Sequence, residues 1–418
     1  MMPVLQRLRP GWTATILFCL LFSGPPSFRI RDPEASLDGE IDYVVILRLL
    51  VIMGAAFWVL CQWRNRSGED VGNLPFKLRL PQKLGLLVIA CLALSIFSSS
   101  APALSAFKVC EMLVTFSFTT VFVETYGIGE CLSKILLACA ILCVAIAVCA
   151  FVAPDLVVFP SETGADRLRG ELIAPTEIVA VFAIILLSVR SKRILGLGYL
   201  LLLAFFGTLA AFSLSRTAYL ILAVFFGLYL WRLKRKLYTY LATAIALIFI
   251  LYDMLPSLDA YRNVEGLFTL SDRLGLWAYL ADVTLQKSPW IGLGYYSASR
   301  IYGREYSEDL GTAHSMFFES FVGGGFLGLV AVVALCLVIG IYAVRLLSYR
   351  GNITAFGVAM MLVATLMFGS IGGDFGYGPL GVTFWSLVTI VPLLHENLRI
   401  HGRTSRIAGY VVRPVSSA

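Results

Sequence analysis

The chain has 418 residues, 59% of them hydrophobic and only 14% charged, with a formal net charge of +7. Soluble domains carry roughly 25% charged residues, so this composition, with a mean hydropathy of +0.84, excludes a soluble globular protein and points to a polytopic membrane protein. The positive balance does not indicate nucleic-acid binding, because Lys and Arg cluster in short segments between apolar runs, as the positive-inside rule requires.

In chain order, apolar stretches near the ~20 residues that cross a hydrocarbon core fall at 11–24, 43–63, 84–104, 106–125, 133–153, 172–189, 195–213, 217–231, 237–254, 315–344, 355–371 and 380–395. They predict an all-α fold of about twelve transmembrane helices, the first and eighth being short. With the N-terminus inside, "RNR", "KLR", "RSKR", "RLKRK", "RLLSYR" and the tail "RIHGRTSR" all lie in the cytoplasm, and so does the C-terminus. The first run follows Arg7 and Arg9, as in a signal peptide. However, "LLFSGPPSF" lacks an A-x-A-like cleavage site, so the run is read as a span. The nine cysteines lie in or beside apolar runs without a CxxC pair and read as small buried hydrophobes, neither a disulfide framework nor a metal site.

This topology leaves one long outer connection, 256–313, between the ninth and tenth spans. Residues 1–171 then form an N-terminal set of membrane helices, and 172–418 form a C-terminal membrane region that includes the loop. Within the loop, "SDRLGLWAYLADVTLQK" predicts an amphipathic helix. Ser271 is its N-cap, Asp272 lies in its first turn, Lys287 is near its end, and Leu274, Trp277, Tyr279, Leu280 and Val283 form an apolar stripe. "SPWIGLGYYSASR" follows as a Gly/Pro-punctuated loop. No internal repeat is visible, which disfavours a repeat-built transporter.

A charge at membrane depth costs about 2.5–3.5 kcal/mol on insertion scales, so it usually has a partner or a task. Arg48, Lys108, Glu111, Glu177, Arg216 and Glu319 qualify. Lys108 and Glu111 stand one helical turn apart, the spacing of an ion pair. Arg48 is free to meet an acid on a neighbouring helix, and Glu177 faces either a cavity or a partner. Arg216, in "AAFSLSRTAYL", falls where the topology places the outer surface, beside Ser213, Ser215 and Thr217. It reads either as an anion-binding fork or as a snorkelling arginine. Other outer segments also carry arginine: Arg167 and Arg169 in "GADRLRGEL", Arg273 in "SDRLGLW", Arg300 and Arg304 in "SASRIYGRE". Their convergence would suit a diphosphate. His314 precedes the apolar run in "AHSMFFESFVGGGFLGL", where a neutral imidazole is suited to accept a proton or, alternatively, to serve as a hydrogen-bonded helix-end residue. "GYGPLG" spells GxGxxG but has no preceding strand, so it is not read as a nucleotide site.

The series "RLRGEL", "SLSRTAYL", "SDRLGLW", "SPWIGLGYYS" and "AHSMFFESFVGGGFLGL" resembles the bacterial O-antigen ligases and the related O-antigen and exopolysaccharide polymerases. The resemblance implies a metal-independent glycosyltransferase of the inner membrane, active on its periplasmic face without a cofactor. It would take a glycan from an undecaprenyl-diphosphate-linked oligosaccharide to a glycan acceptor, among membrane lipids and alongside a chain-length regulator. It implies His314 as the catalytic base and Arg216, Arg273 and Arg169 as diphosphate ligands, with Arg167 competing with Arg169. Ser315 stands where family members often have Asn. Glu319 is expected to support or orient the site. Tyr295 is expected either to stack on sugar rings or to belong to an interfacial aromatic belt. Polymerase and ligase share this donor and differ only in acceptor. A lipid-linked glycan flippase is the alternative of a different class.

Overall fold

A computed structural model describes residues 10–24, 43–67, 78–160, 166–170, 173–190, 197–232, 273–307, 312–349, 351–371, 375–376 and 378–411. The helices are α1 (Trp12–Ser23), α2 (Tyr43–Ser67), α3 (Leu80–Leu94), α4 (Pro102–Tyr126), α5 (Ile128–Val152), α6 (Thr176–Arg190), α7 (Leu197–Phe212) and α8 (Arg216–Arg232), followed by α9 (Arg273–Lys287), α10 (Ser297–Tyr306), α11 (Met316–Ser348), α12 (Ile353–Ile371) and α13 (Gly378–Val411). A 3-10 turn, Ser95–Ser98, extends α3. The expected ninth span, 237–254, lies outside the described residues.

Hydrocarbon offers a backbone no partners, so apolar segments must close their hydrogen bonds internally, and they do so as helices. Among the described residues, seven helices are long and apolar enough to cross a membrane: α2, α3 with its turn, α4, α5, α11, α12 and the first part of α13. The chain is therefore an all-α, multi-pass membrane protein. Helices α1, α6, α7 and α8 coincide with expected spans but are only 12, 15, 16 and 17 residues long. An antiparallel pair of three-residue strands, β1 (Val158–Pro160) and β2 (Asp166–Leu168), precedes α6, with Phe159 opposite Arg167. The apolar pattern did not predict it.

Burial separates central from peripheral helices. In α13, 89% of the apolar window is buried, against 22% in α2. Trp385 on α13 anchors the centre, fully buried against Phe116 at 5.3 Å, with its Nε1–H donated to the Phe375 carbonyl at 2.9 Å. Helices from both halves interlock: α3 lies along α11, α4 along α13, and α5 along α6.

The tenth expected span, 315–344, coincides with α11, and the structure adds a break inside it. At Gly325 the backbone leaves the helical region (φ 61°, ψ −158°) and divides α11 into 316–324 and 326–348. The second part alone can cross ~30 Å of hydrocarbon. A neighbouring segment repairs the broken ladder. Phe326 and Leu327 donate their N–H groups to the carbonyls of Pro289 and Trp290 at 2.8 and 3.2 Å, while the Val322 and Gly323 carbonyls accept from Leu293 and Gly294 at 2.8 and 3.3 Å. The loop 289–294 thus stands in for part of a helical turn, taking up two donors and two acceptors at the break. Glycine is required on both sides of this splice. A Cβ on Gly325 would lie 2.4 Å from the Trp290 carbonyl carbon, and one on Gly292 would lie 2.4 Å from the Gly323 oxygen.

Candidate active site

The two ends of the bundle differ chemically. At one end Arg79 meets Glu124 at 2.6 Å and Glu396 at 3.1 Å, while Arg232 donates to the Tyr349 and Asn352 carbonyls at 2.5 and 3.1 Å. The other end collects the 95–105 turn, the β-hairpin, the α7–α8 turn, α9, α10 and the segment leading into α11.

His314 lies at this second end, half-buried, in the turn before α11. Its φ of 50° is unusual for a residue with a side chain, so the surroundings must hold it there. They do so through residue 313. Trp277 on α9 donates its Nε1–H to the Ala313 carbonyl at 2.7 Å and stacks on Phe318, centroids 4.5 Å apart and planes 11° apart. The Ala313 N–H donates to Glu319 Oε2 at 3.3 Å, and the other carboxylate oxygen accepts from Ser299 Oγ on α10 at 2.6 Å. Glu319 itself is buried, one turn into α11, and its N–H donates to the Ser315 carbonyl at 2.8 Å. Three elements therefore fix one turn.

Two arginines from distant parts of the chain act on the ring. Arg273, at the start of α9, donates to the carbonyl of Ile371 at the end of α12. Arg169 follows β2; its N–H donates to the Val157 carbonyl at 2.9 Å and its carbonyl accepts from Thr176 N–H at 3.1 Å, which pins it beside the start of α6. Burial first, then the charges of Arg273 and Arg169, lower the His314 pKa to about 4. At neutral pH the imidazole is uncharged, with a lone pair available.

Arg216 opens α8, exposed, just after the α7–α8 turn; α7 packs against β2, which places that turn at the same end as Arg169. Arg167 sits on β2 itself. Tyr295 is 1% exposed and packs in the core against Gly323, and its neighbour Tyr296 is 5% exposed, so neither presents an open ring face for a sugar. Ser271 and Asp272, the expected cap of α9, lie outside the described residues. Among the described residues no group of three His, Cys, Asp or Glu side chains is placed to hold a metal ion.

Sequence reasoning missed two features. One is the Trp277–Ala313–Glu319–Ser299 clamp. The other is the helix α10, which turns a predicted loop into a scaffold for Ser299 and Arg300. Its amphipathic pattern, with Ala298 and Tyr302 buried, is marked, but ten residues continuing a Gly/Pro-punctuated stretch read as loop.

No curated protein matches the chain. Residues 199–333, from α7 through the break in α11, match the family model described as O-Antigen ligase (Wzy_C), a stretch containing Arg216, Arg273, His314 and Glu319. Over that stretch, about a third of the chain, this multi-pass helical membrane protein is similar to the O-antigen ligase family.

Proposed function

We propose that the protein is an inner-membrane glycosyltransferase that extends a polysaccharide on the periplasmic face, drawing glycan from an undecaprenyl-diphosphate-linked donor. The single observation that carries this reading is the convergence of Arg169 and Arg273 on an uncharged His314 held in a clamped turn. A glycosyl diphosphate already has a good leaving group and needs its developing charge neutralised. Guanidinium forks do this, and Arg216, Arg273 and Arg169 supply them, with Arg167 in reserve.

The acceptor hydroxyl is the weak partner. His314 takes its proton as the oxygen attacks the anomeric carbon; the bond from that carbon to the diphosphate oxygen breaks, and the electron pair leaves with the undecaprenyl diphosphate. A ring with a pKa near 4 is a weak base in the free enzyme. Burial depresses it most and the two arginine charges add to that; a bound diphosphate offsets the arginine part, so the base strengthens as the donor arrives. An O-antigen ligase would use the same steps with a lipid A core acceptor.

The test is His314→Ala in purified protein given lipid-linked oligosaccharide. Turnover should fall by roughly 10²–10⁴, the usual contribution of a general base, while donor retention and protein abundance persist. Chain extension at close to the wild-type rate would return this histidine to a structural role.

A further inference from the structure

A second cationic cluster lies next to the His314 turn. Glu111, buried on α4, accepts from Arg48 on α2, with Nη2 at 2.6 Å, and from Lys108 Nζ at 3.1 Å, so one carboxylate serves two cations. The Lys108 ammonium also sits 4.1 Å from the centroid of the Tyr296 ring. The Arg300 guanidinium lies 4.4 Å from the same centroid and donates to the Tyr296 hydroxyl. Tyr296 is locked at a φ of 67°. Beside it, the hydroxyls of Ser99, Ser105 and Ser297 form a closed triangle with edges of 2.7–2.9 Å.

Two cations on one carboxylate, Arg48 and Lys108 on Glu111, and two on one aromatic ring, Lys108 and Arg300 on Tyr296, are electrostatically expensive away from bulk water. A cation gains from a π-face, but two cations at one ring also repel each other. Among the described residues, Arg300 Nε is buried without a hydrogen-bond acceptor. An oxyanion at Arg300 Nε would supply that acceptor and offset the positive charge gathered at the ring. The cluster is also tied to the catalytic turn: Ser299, adjacent to Arg300, donates to Glu319, whose other oxygen accepts from Ala313.

We infer that Lys108, Tyr296 and Arg300 form an acceptor subsite that binds a phosphate or diphosphate group of the incoming glycan, apart from the arginines assigned to the donor. This rests on the glycosyltransferase reading above. It gives the acceptor an anchor from which its hydroxyl is presented to His314. Two sources carry the same chemistry: the diphosphate of a second lipid-linked oligosaccharide, or phosphates on a glycolipid core. Use of the first would make the enzyme a polymerase, and use of the second a ligase.

The experiment compares purified full-length wild type with Arg300→Gln and Arg300→Lys. In calorimetric titration with inorganic diphosphate, the wild type should show two binding events, of which Arg300→Gln loses one. In turnover assays, acceptor is supplied as lipid-linked oligosaccharide, as phosphorylated core glycolipid, or as either after phosphate removal. The preference for the anionic form of the true acceptor should fall about tenfold in Arg300→Gln, equivalent to ~1.4 kcal/mol. The change should appear in the acceptor KM and not the donor KM, with partial recovery in Arg300→Lys. A single binding event in wild type, a titration unaffected by Arg300→Gln, or a rise in donor KM would overturn the subsite. Should Arg300→Gln fail to fold, the wild type decides alone: diphosphate must compete with acceptor as well as with donor. Two binding events without glycan transfer to any acceptor would leave the subsite standing and refute the glycosyltransferase reading instead.

Discussion

Arginines sit at both ends of the bundle, but their company differs. At one end Arg79 is shared between Glu124 and Glu396, and Arg232 is met by helix-end carbonyls. At the other, Arg273 and Arg169 bear on a histidine whose pKa is lowered to about 4 by burial first and then by their charges. The first arrangement neutralises charge and ties helix ends together. The second leaves a ring uncharged at neutral pH, the state a general base requires. What sets the His314 end apart is that Arg169, Arg273 and the ring come from three separate segments and meet at a clamped turn.

The sharpest test of this contrast replaces the arginines without removing their charge. Arg273→Lys and Arg216→Lys should reduce polymer output nearly as far as alanine does, by about two orders of magnitude, because an ammonium loses the bidentate fork that grips a diphosphate. Polymer yield measured at matched protein levels decides it; near-normal yield from the lysine variants would erase the distinction between the two ends.

Next in size is the pH response. A general base must be deprotonated, so the rate should fall as pH drops through the histidine pKa. For kcat/KM, which reports the free enzyme, the inflection should lie near 4 instead of the usual ~6.5. For kcat it should lie higher, since bound diphosphate offsets Arg169 and Arg273. Coincident inflections in the two profiles would mean that the arginines do not hold the donor.

Arg79→Met should do much less. Its partners are partly exposed, Glu124 at 22% and Glu396 at 53%, and such pairs contribute about 0–1 kcal/mol. A thermal shift in detergent should show a small destabilisation with turnover retained; loss of turnover in a folded Arg79→Met protein would break the comparison from the other side. The smallest expected effect is that of EDTA, which should leave activity unchanged. Loss of activity restored by a divalent ion would show that the arginines do not act alone on the diphosphate.

Much of this protein was legible one segment at a time. Each apolar run had to become a helix, because hydrocarbon leaves a backbone no alternative, and eleven of the twelve expected runs coincide with described helices. The amphipathic stripe of α9 and the Lys108–Glu111 spacing were equally local. The break in α11 was not, since a glycine triplet in an apolar run reads as a close-packing surface until the loop 289–294 supplies the missing hydrogen bonds. Nor was the company of His314. That Arg169 and Arg273 reach it, that Trp277 and Glu319 hold its neighbour, and that Arg48 completes the Glu111 cluster depend on which helices lie side by side. Helix formation is a contract between a segment and its solvent and is written in the segment. Charge pairing between segments depends on distance, and only packing sets distance.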